Sequence, residues 1–390
     1  MVNYYICQMF IDRFISKEIE QYFWDIPVTA IIGARQVGKS TLSKLLLKKY
    51  PDVVYLDLEK RSDIQMLDNT ESFLEMNKSH IICIDEVQIM SGLFAELRSF
   101  IDNNPKTKFI LLGSSSPELL RQSSESLAGR IFYYELSPFL WPEVCKIEQL
   151  QTYQLRGGFP LSLLAKEDKL AFVWLKNYIR TFLERDLRNF GFNIAPDTIH
   201  RLWEMLAHLN GQVLNYSQLA NSMGLSQPTI KHYINILQHT FMLRILRPYH
   251  INIKKRLIKA PKLYFRDTGI LHALLNISSY SQLYRNPVYG SSWETTVIEN
   301  IVNKFHDWNH FYYRTANGTE IDLIITKAER VIAIEIKSSP TPKVNRGFWT
   351  AIDDIAATES YVIAPVKRPY PLANNVMVYP LEEFLDSFSA

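Results

Sequence analysis

Five short apolar runs punctuate the first third of the chain: VTAIIG (28–33), VVYLDL (53–58), HIICID (80–85), KFILLG (108–113) and IFYYEL (131–136). Polar and apolar mixtures at helical spacing separate them, including TLSKLLLKKY (41–50) and FAELRSFIDN (94–103). Apolar strands alternating with amphipathic helices predict a parallel sheet with helices on both faces. Ahead of the sheet, Met9, Phe10, Phe14, Ile15 and Ile19 recur at helical spacing and predict one leading helix. The two prolines of SPFLWPEV (137–144) end the alternation, and after the turn RGGFP (156–160) the pattern becomes helical through 172–190. Three further helical patterns follow at 199–210, 216–223 and 227–240, then β-like FMLRILRPY (241–249) and KLYFRD (262–267). From Gly290 a helix at 292–305 leads into HFYYRT, EIDLIIT and VIAIEIKSS, which predict a small sheet.

The chain has 390 residues, room for several cores, and its 47% hydrophobic and 21% charged residues describe an ordinary folded protein, which excludes disordered and collagen-like classes. The pattern predicts units at 1–150, 151–198, 199–289 and 290–390. No apolar run approaches the ~18 residues of a membrane span. Cys7, Cys83 and Cys145 are odd in number and never in CxxC or Cys/His spacing, so neither a disulfide framework nor a zinc site is expected, and a reducing cytoplasm is. A net charge of +3 implies no affinity for polyanions, but it averages unlike parts.

The segment Gly33-Ala34-Arg35-Gln36-Val37-Gly38-Lys39-Ser40 satisfies GxxxxGK[ST], between an apolar strand and an apolar helix. Such a loop turns backbone N–H groups toward phosphate oxygens at a helix N-terminus, and Lys39 reaches the outer phosphates. Ser40 places its hydroxyl on Mg²⁺, and Thr41 lies near the inner phosphates. Asp85 and Glu86 end the run IICIDE, where one acid holds Mg²⁺ through water and the next orients an attacking water. Ser114 and Ser115, after KFILLG, are candidates for sensing the outermost phosphate.

Together with LLGSSSPELL and AGR (128–130), these motifs resemble the AAA+ branch of P-loop ATPases, and more narrowly a prokaryotic family with a C-terminal extension. The resemblance implies ATP and Mg²⁺ as cofactors and a sheet order 5-1-4-3-2. It also implies that Arg130 is the arginine offered to the phosphate, in cis or from a neighbouring subunit of a homo-oligomer.

YSQLANSMGLSQPTIKHYINILQ has helix-turn-helix character: Ser217 is placed to cap the first helix, Gly224 to turn, and Ser226 with Pro228 to start the second. Gln227, Thr229, Lys231 and His232 fall near the start of the recognition helix of a winged-helix domain. From Met205 to Arg266 there is no acid, while Lys231, Arg244, Arg247, Lys254, Lys255, Arg256, Lys259, Lys262 and Arg266 are basic. That density suits a phosphate backbone, DNA above all, at residues 205–266.

In TEIDLIITKAERVIAIEIKSS, Asp322 begins one strand, and Glu335 and Lys337 share a face of the next. Two carboxylates suit Mg²⁺, and a lysine can then activate water. The spacing resembles the PD-(D/E)xK nucleases, with Ile321 in place of the proline. The resemblance makes Glu294 a further metal acid, with Glu299 one turn on as second choice, and predicts an α/β restriction-endonuclease-like domain. It leaves open whether that domain cuts or is kept for binding. The combined expectation is a Mg²⁺-dependent ATPase that binds or processes nucleic acid. The alternative is an ATP-dependent regulatory switch that engages a protein partner.

Overall fold

The computed structural model describes residues 10–90, 92–113, 125–190, 192, 194–250, 257–373 and 375–387. The chain divides into two compact units, Met1–Phe139 with His239–Phe241, and Leu140–Gln238 with Met242–Ala390.

The first unit is built on β1 (Val28–Ile32), β2 (Val53–Asp57), β3 (Ile81–Asp85), β4 (Lys108–Gly113) and β5 (Ile131–Glu135). All pairings are parallel, in the order β2-β3-β4-β1-β5, the order the resemblance implied. The sequence encodes this directly: β1, β3 and β4 are buried at every position, as strands covered on both faces must be. The edge strands β2 and β5 are mixed, and β5 leaves Phe132 exposed. Phe94, Leu97 and Ile101 of the helix Leu93–Asn103 close one core against Ile82, Ile84 and Phe109. Because the strands are parallel and adjacent, Ile32, Asp85 and Gly113 end on one edge, where ligands of open α/β sheets collect.

The second unit opens with helices Leu150–Arg156 and Asp168–Thr181, the latter running into a π turn at Phe182–Asp186. Helices Pro196–His208, Tyr216–Met223 and Gln227–His239 follow, then the antiparallel pair β6 (Leu243–Pro248) and β7 (Lys262–Phe265). Helix Tyr216–Met223 is capped by the Asn215 side chain, which accepts from Gln218 N–H, and not by the expected Ser217. Gly224 closes that helix in the left-handed region, and the Ser226 hydroxyl accepts from Thr229 N–H at the next helix start.

The small sheet expected at the C-terminus is larger than its sequence signal. It comprises β8 (Asn309–Arg314), β9 (Glu320–Lys327), β10 (Arg330–Ile336), β11 (Glu359–Ile363), β12 (Tyr370–Ala373) and β13 (Val376–Tyr379), and β6 and β7 extend it to eight strands. The junction is the parallel pairing of Arg247 and Pro248 with Phe311 and Tyr312. The helix Tyr289–Lys304 is buried from Trp293 to Val302 at all but one position, so little amphipathic contrast marks it in the sequence.

Candidate functional site

The loop from Gly33 to Gly38 runs from the end of β1 into the helix Lys39–Leu47. Gly33 is required there: at its φ of 156°, a Cβ would lie 2.3 Å from the Leu136 carbonyl oxygen. Gln36 and Gly38 also take positive φ, the conformation that turns successive N–H groups into an anion-binding nest. Lys39 is buried, and its Nζ donates to the carbonyls of Gly33 (3.0 Å) and Ala34 (2.9 Å). Burial lowers its ammonium to a pKa of about 8, opposed by the charges of Glu86 and Asp85. Arg35 pairs with Glu59 at 2.9 Å, and Thr41 is exposed on the first turn of the helix.

Ser40 and Asp85 meet: the hydroxyl donates to Asp85 Oδ2 at 2.6 Å. The same oxygen accepts from the Tyr55 hydroxyl at 2.6 Å, and Asp85 Oδ1 accepts from Glu86 N–H at 3.0 Å. Burial, then the hydrogen bond to Asp85, pushes the Tyr55 phenol well up. Sequence reasoning did not single out Tyr55. Its only signal is the register Tyr55 opposite Cys83 and Asp57 opposite Asp85, which sets β2 beside the acidic strand end. Glu86 holds a left-handed φ of 55° and accepts from the Gln88 amide. This donor set fits Mg²⁺. Ser40 and Asp85 would hold the ion, the serine through a lone pair of its hydroxyl, which would turn its O–H away from Asp85.

Ser114 and Ser115 lie outside the described residues. Arg130 is not brought to this site. The Val28 N–H donates to its carbonyl, so it flanks the start of β1, four strand residues or roughly 13 Å from Ile32. Its guanidinium holds Asp102 through bonds of 2.6 and 3.0 Å. The expectation of an arginine supplied in cis is therefore corrected: parallel strands put the two ends of β5 on opposite edges of the sheet.

The acids of the second unit form another cluster. The register of β9 and β10, Leu323 opposite Ile334, sets Asp322 beside Glu335. Asp322 Oδ2 accepts from Ile336 N–H at 2.9 Å, and Lys337 Nζ lies 2.6 Å from Glu335 Oε1. Glu335 Oε2 is buried with no hydrogen-bond partner. Lys262, from β7, puts its Nζ 3.4 Å from Glu294, 2.5 Å from Glu320 and 3.8 Å from Asp322, and the Tyr264 hydroxyl donates to Glu294. Burial raises Glu294 to a pKa of about 7, with Lys262 opposing, and raises Glu335 to about 8, with Asp322 adding to the rise. Among the described residues no three acid, histidine or cysteine side chains are arranged to hold a metal. Glu294, Asp322 and Glu335, expected as Mg²⁺ ligands, therefore do not fit that ion as they stand. An ammonium already lies among Glu294, Glu320 and Asp322. Glu299 goes elsewhere, to Arg244 and Arg266.

These pairings revise the basic segment. Arg244, Lys262 and Arg266 are neutralised by acids that lie beyond residue 266 in the sequence. Lys231, Arg247 and Lys259 are exposed, Lys231 with its Nζ over the Tyr216 ring. Lys254, Lys255 and Arg256 lie outside the described residues.

A glycine loop, a buried lysine and an acid-ended neighbouring strand on this sheet order define a P-loop ATPase domain of AAA type. Residues 25–145 match the family described as an AAA domain, and residues 147–281 and 289–384 match two domains of unknown function (DUF8612 and DUF4143). An uncharacterized protein of Mycobacterium tuberculosis is 35% identical over 384 residues, 98% of this chain and 86% of that protein. One of Methanocaldococcus jannaschii is 21% identical over 441 residues, 98% of this chain and 88% of its own length. The chain belongs to the family of the Mycobacterium protein. Among solved structures it is similar to the Walker-type ATPase of Pyrococcus abyssi, with a TM-score of 0.49 and 16% identity over 68% of this chain and 96% of that one. No helix among the described residues is long and apolar enough to cross a membrane.

Proposed function

We propose that this protein is a Mg²⁺-dependent ATPase that couples ATP binding and hydrolysis to engagement of nucleic acid, with DNA favoured. The observation that carries the ATPase reading is the Ser40–Asp85 contact beside the Lys39 loop, two motifs 45 residues apart brought to 2.6 Å. Mg²⁺ held by Ser40 and Asp85 supplies charge neutralisation at the phosphates. Lys39 turns from the Gly33 and Ala34 carbonyls to the outer phosphates, the loop N–H groups hold the inner ones, and Thr41 lies nearby. Glu86, fixed by Gln88, orients the attacking water. In this reading Arg130 acts in trans, leaving Asp102 for the nucleotide of a neighbouring subunit, and Ser114 senses the outermost phosphate.

The three helices from Pro196 to His239 and the strand pair after them support a winged-helix reading. Lys231, Arg247 and Lys259 provide the exposed charge for a phosphate backbone. The cysteines support a reducing, cytoplasmic setting: Cys83 and Cys145 are both free thiols. Cleavage at Asp322, Glu335 and Lys337 is not part of the proposal, because the acid cluster is already neutralised in part by Lys262.

The second reading, a switch whose extension binds a protein partner, is favoured by that internal neutralisation, which leaves fewer cations for polyanions. Binding to a labelled duplex at two salt concentrations separates the two. The nucleic-acid reading requires an affinity that falls steeply with salt, and absent or salt-insensitive binding sinks it. The ATPase reading is tested by Lys39→Ala, for which full retained turnover would rule out the loop as the site.

A further inference from the structure

The cluster of Glu294, Glu320 and Asp322 has the composition of a divalent-cation site, yet its centre is taken. Lys262 is 2% exposed, and its Nζ lies within 3.8 Å of a carboxylate oxygen of each acid. The acids come from two elements, the helix Tyr289–Lys304 and strand β9, while the lysine comes from a third, β7. We propose that Lys262 is the resident cation of this cluster, an internal ammonium standing where a nuclease-like domain would need a metal ion. The proposal does not rest on the ATPase reading.

The ammonium matches the demand made on it. It offers three N–H donors and finds three carboxylates within reach, so the buried charge is paired as burial requires. Its Nζ also lies over the ring of Tyr312, 5.5 Å from the centroid, which desolvates the ammonium from one side.

Lys262 is also held in place. Its backbone pairs with Leu246 across the β6–β7 ladder and bridges Val213 on the other side. Leu214 N–H donates to the Pro261 carbonyl, and Leu263 N–H donates to the Gln212 carbonyl. A lysine anchored on both flanks cannot withdraw without breaking that strand.

A divalent ion needs oxygens at about 2.0–2.6 Å, and to reach Glu294 and Asp322 together it would have to displace Nζ. Lysine and metal are therefore mutually exclusive among these acids. An open acceptor nearby, Glu335 Oε2, is where a metal would reveal itself if the exclusion were incomplete.

Mn²⁺ serves as the probe, followed by electron paramagnetic resonance and calorimetry on the nucleotide-free full chain. The parent should show no Mn²⁺ site that depends on Asp322 or Glu335, so that Asp322→Asn and Glu335→Gln leave its isotherm unchanged. Lys262→Met should gain one Mn²⁺ per chain, bound at least tenfold tighter than any binding by the parent, and Glu294→Gln added to it should abolish the gain. A parent Mn²⁺ site lost in Asp322→Asn or Glu335→Gln overturns the proposal, as does a folded Lys262→Met chain that takes up no Mn²⁺. If Lys262→Met does not fold, the parent and Lys262→Arg decide: a Mn²⁺ site in either that Asp322→Asn removes refutes it, and none in both upholds it. Comparison with Asp322→Asn also separates this cluster from Mn²⁺ held weakly at Asp85.

Discussion

The buried position of Lys39 makes nucleotide binding a proton-linked event. Without nucleotide the amine sits against two carbonyls, and burial holds its pKa near 8. A triphosphate alongside favours the ammonium and returns the pKa toward 10 or above. Between those values the complex holds a proton that the free protein has lost, so binding takes up a proton and weakens as pH rises. At pH 9 about nine in ten unliganded chains carry neutral Lys39, against about one in ten at pH 7. MgATP affinity should therefore fall about tenfold between those pH values, or about 1.4 kcal/mol. Calorimetry in two buffers of unlike ionisation enthalpy should count about 0.9 proton taken up per nucleotide at pH 9 and about 0.1 at pH 7. Lys39→Arg, which does not titrate in this range, is the control and should show neither effect. Flat affinity from pH 7 to 9 in the parent, or proton uptake that survives in Lys39→Arg, would refute the reasoning. The same burial has a stability consequence of opposite sign. The unfolded chain keeps the Lys39 proton to a higher pH, so the penalty, on the order of 3 kcal/mol, is complete below pH 8 and relieved as pH rises toward 10.5. Nucleotide-free Lys39→Met should accordingly melt higher than the parent at pH 7 while binding no nucleotide.

The charge assignments of the second unit separate two groups of cations. Alanine at Lys231, Arg247 or Lys259 should lower the salt dependence of duplex binding by about one unit of log–log slope each and leave the melting temperature in place. Arg244→Ala should instead cost about 2–3 kcal/mol of stability, seen as a lower urea midpoint, because buried Glu299 loses one of its two arginines and keeps only Arg266. Gly269→Ala puts a Cβ 2.2 Å from the Arg156 carbonyl oxygen, a backbone atom with nowhere to go. It should cost at least ~2 kcal/mol, and an unchanged melting temperature would show that the two segments are not locked as described.

The first unit was legible because its information is local. A mostly apolar run marks each central strand, a glycine loop follows the first and an acid pair ends the third, so the parallel sheet is read from the residues, while the strand order that brings Ser40 to Asp85 is what the family resemblance implies. Tyr55 was missed because a tyrosine in an edge strand carries no mark until its register with β3 is known. The acid cluster was half legible. Asp322, Glu335 and Lys337 were found from period-two geometry, but the residue that changes their chemistry, Lys262, lies 60 positions upstream. By sequence alone it belongs with the basic residues of 205–266. An acid-free stretch of sequence is not a basic surface when the fold brings acids to it, and here Glu294, Glu299, Glu320 and Asp322 do so.

The same distinction explains why a second unit that reads as separate segments holds together. The turn RGGFP and the later run RDTG carry no pattern linking them, yet they interlock. Asp267 accepts from Gly158 N–H at 2.7 Å and Ile270 N–H at 2.9 Å, and Gly269 fits only because it lacks a Cβ against Arg156. Burial pushes the Asp267 carboxyl up to about 6, and the backbone N–H groups pull it back. One turn along the helix Thr268–Leu274, His272 sits 2.9 Å from both the Leu155 carbonyl and the Ser292 hydroxyl, and burial keeps it neutral with a pKa of about 4. Asn300 completes the chain: its amide donates to the Tyr153 hydroxyl at 3.0 Å, and its oxygen accepts from Trp141 N–H at 2.6 Å. Each of these groups is polar and buried, and each takes at least one partner from a segment distant in sequence. A partly satisfied buried network is worse than an apolar one, so the arrangement favours a single register of its helices. The polar residues that look least like a core are thus what ties the helices Leu150–Arg156, Thr268–Leu274 and Tyr289–Lys304 of this unit together.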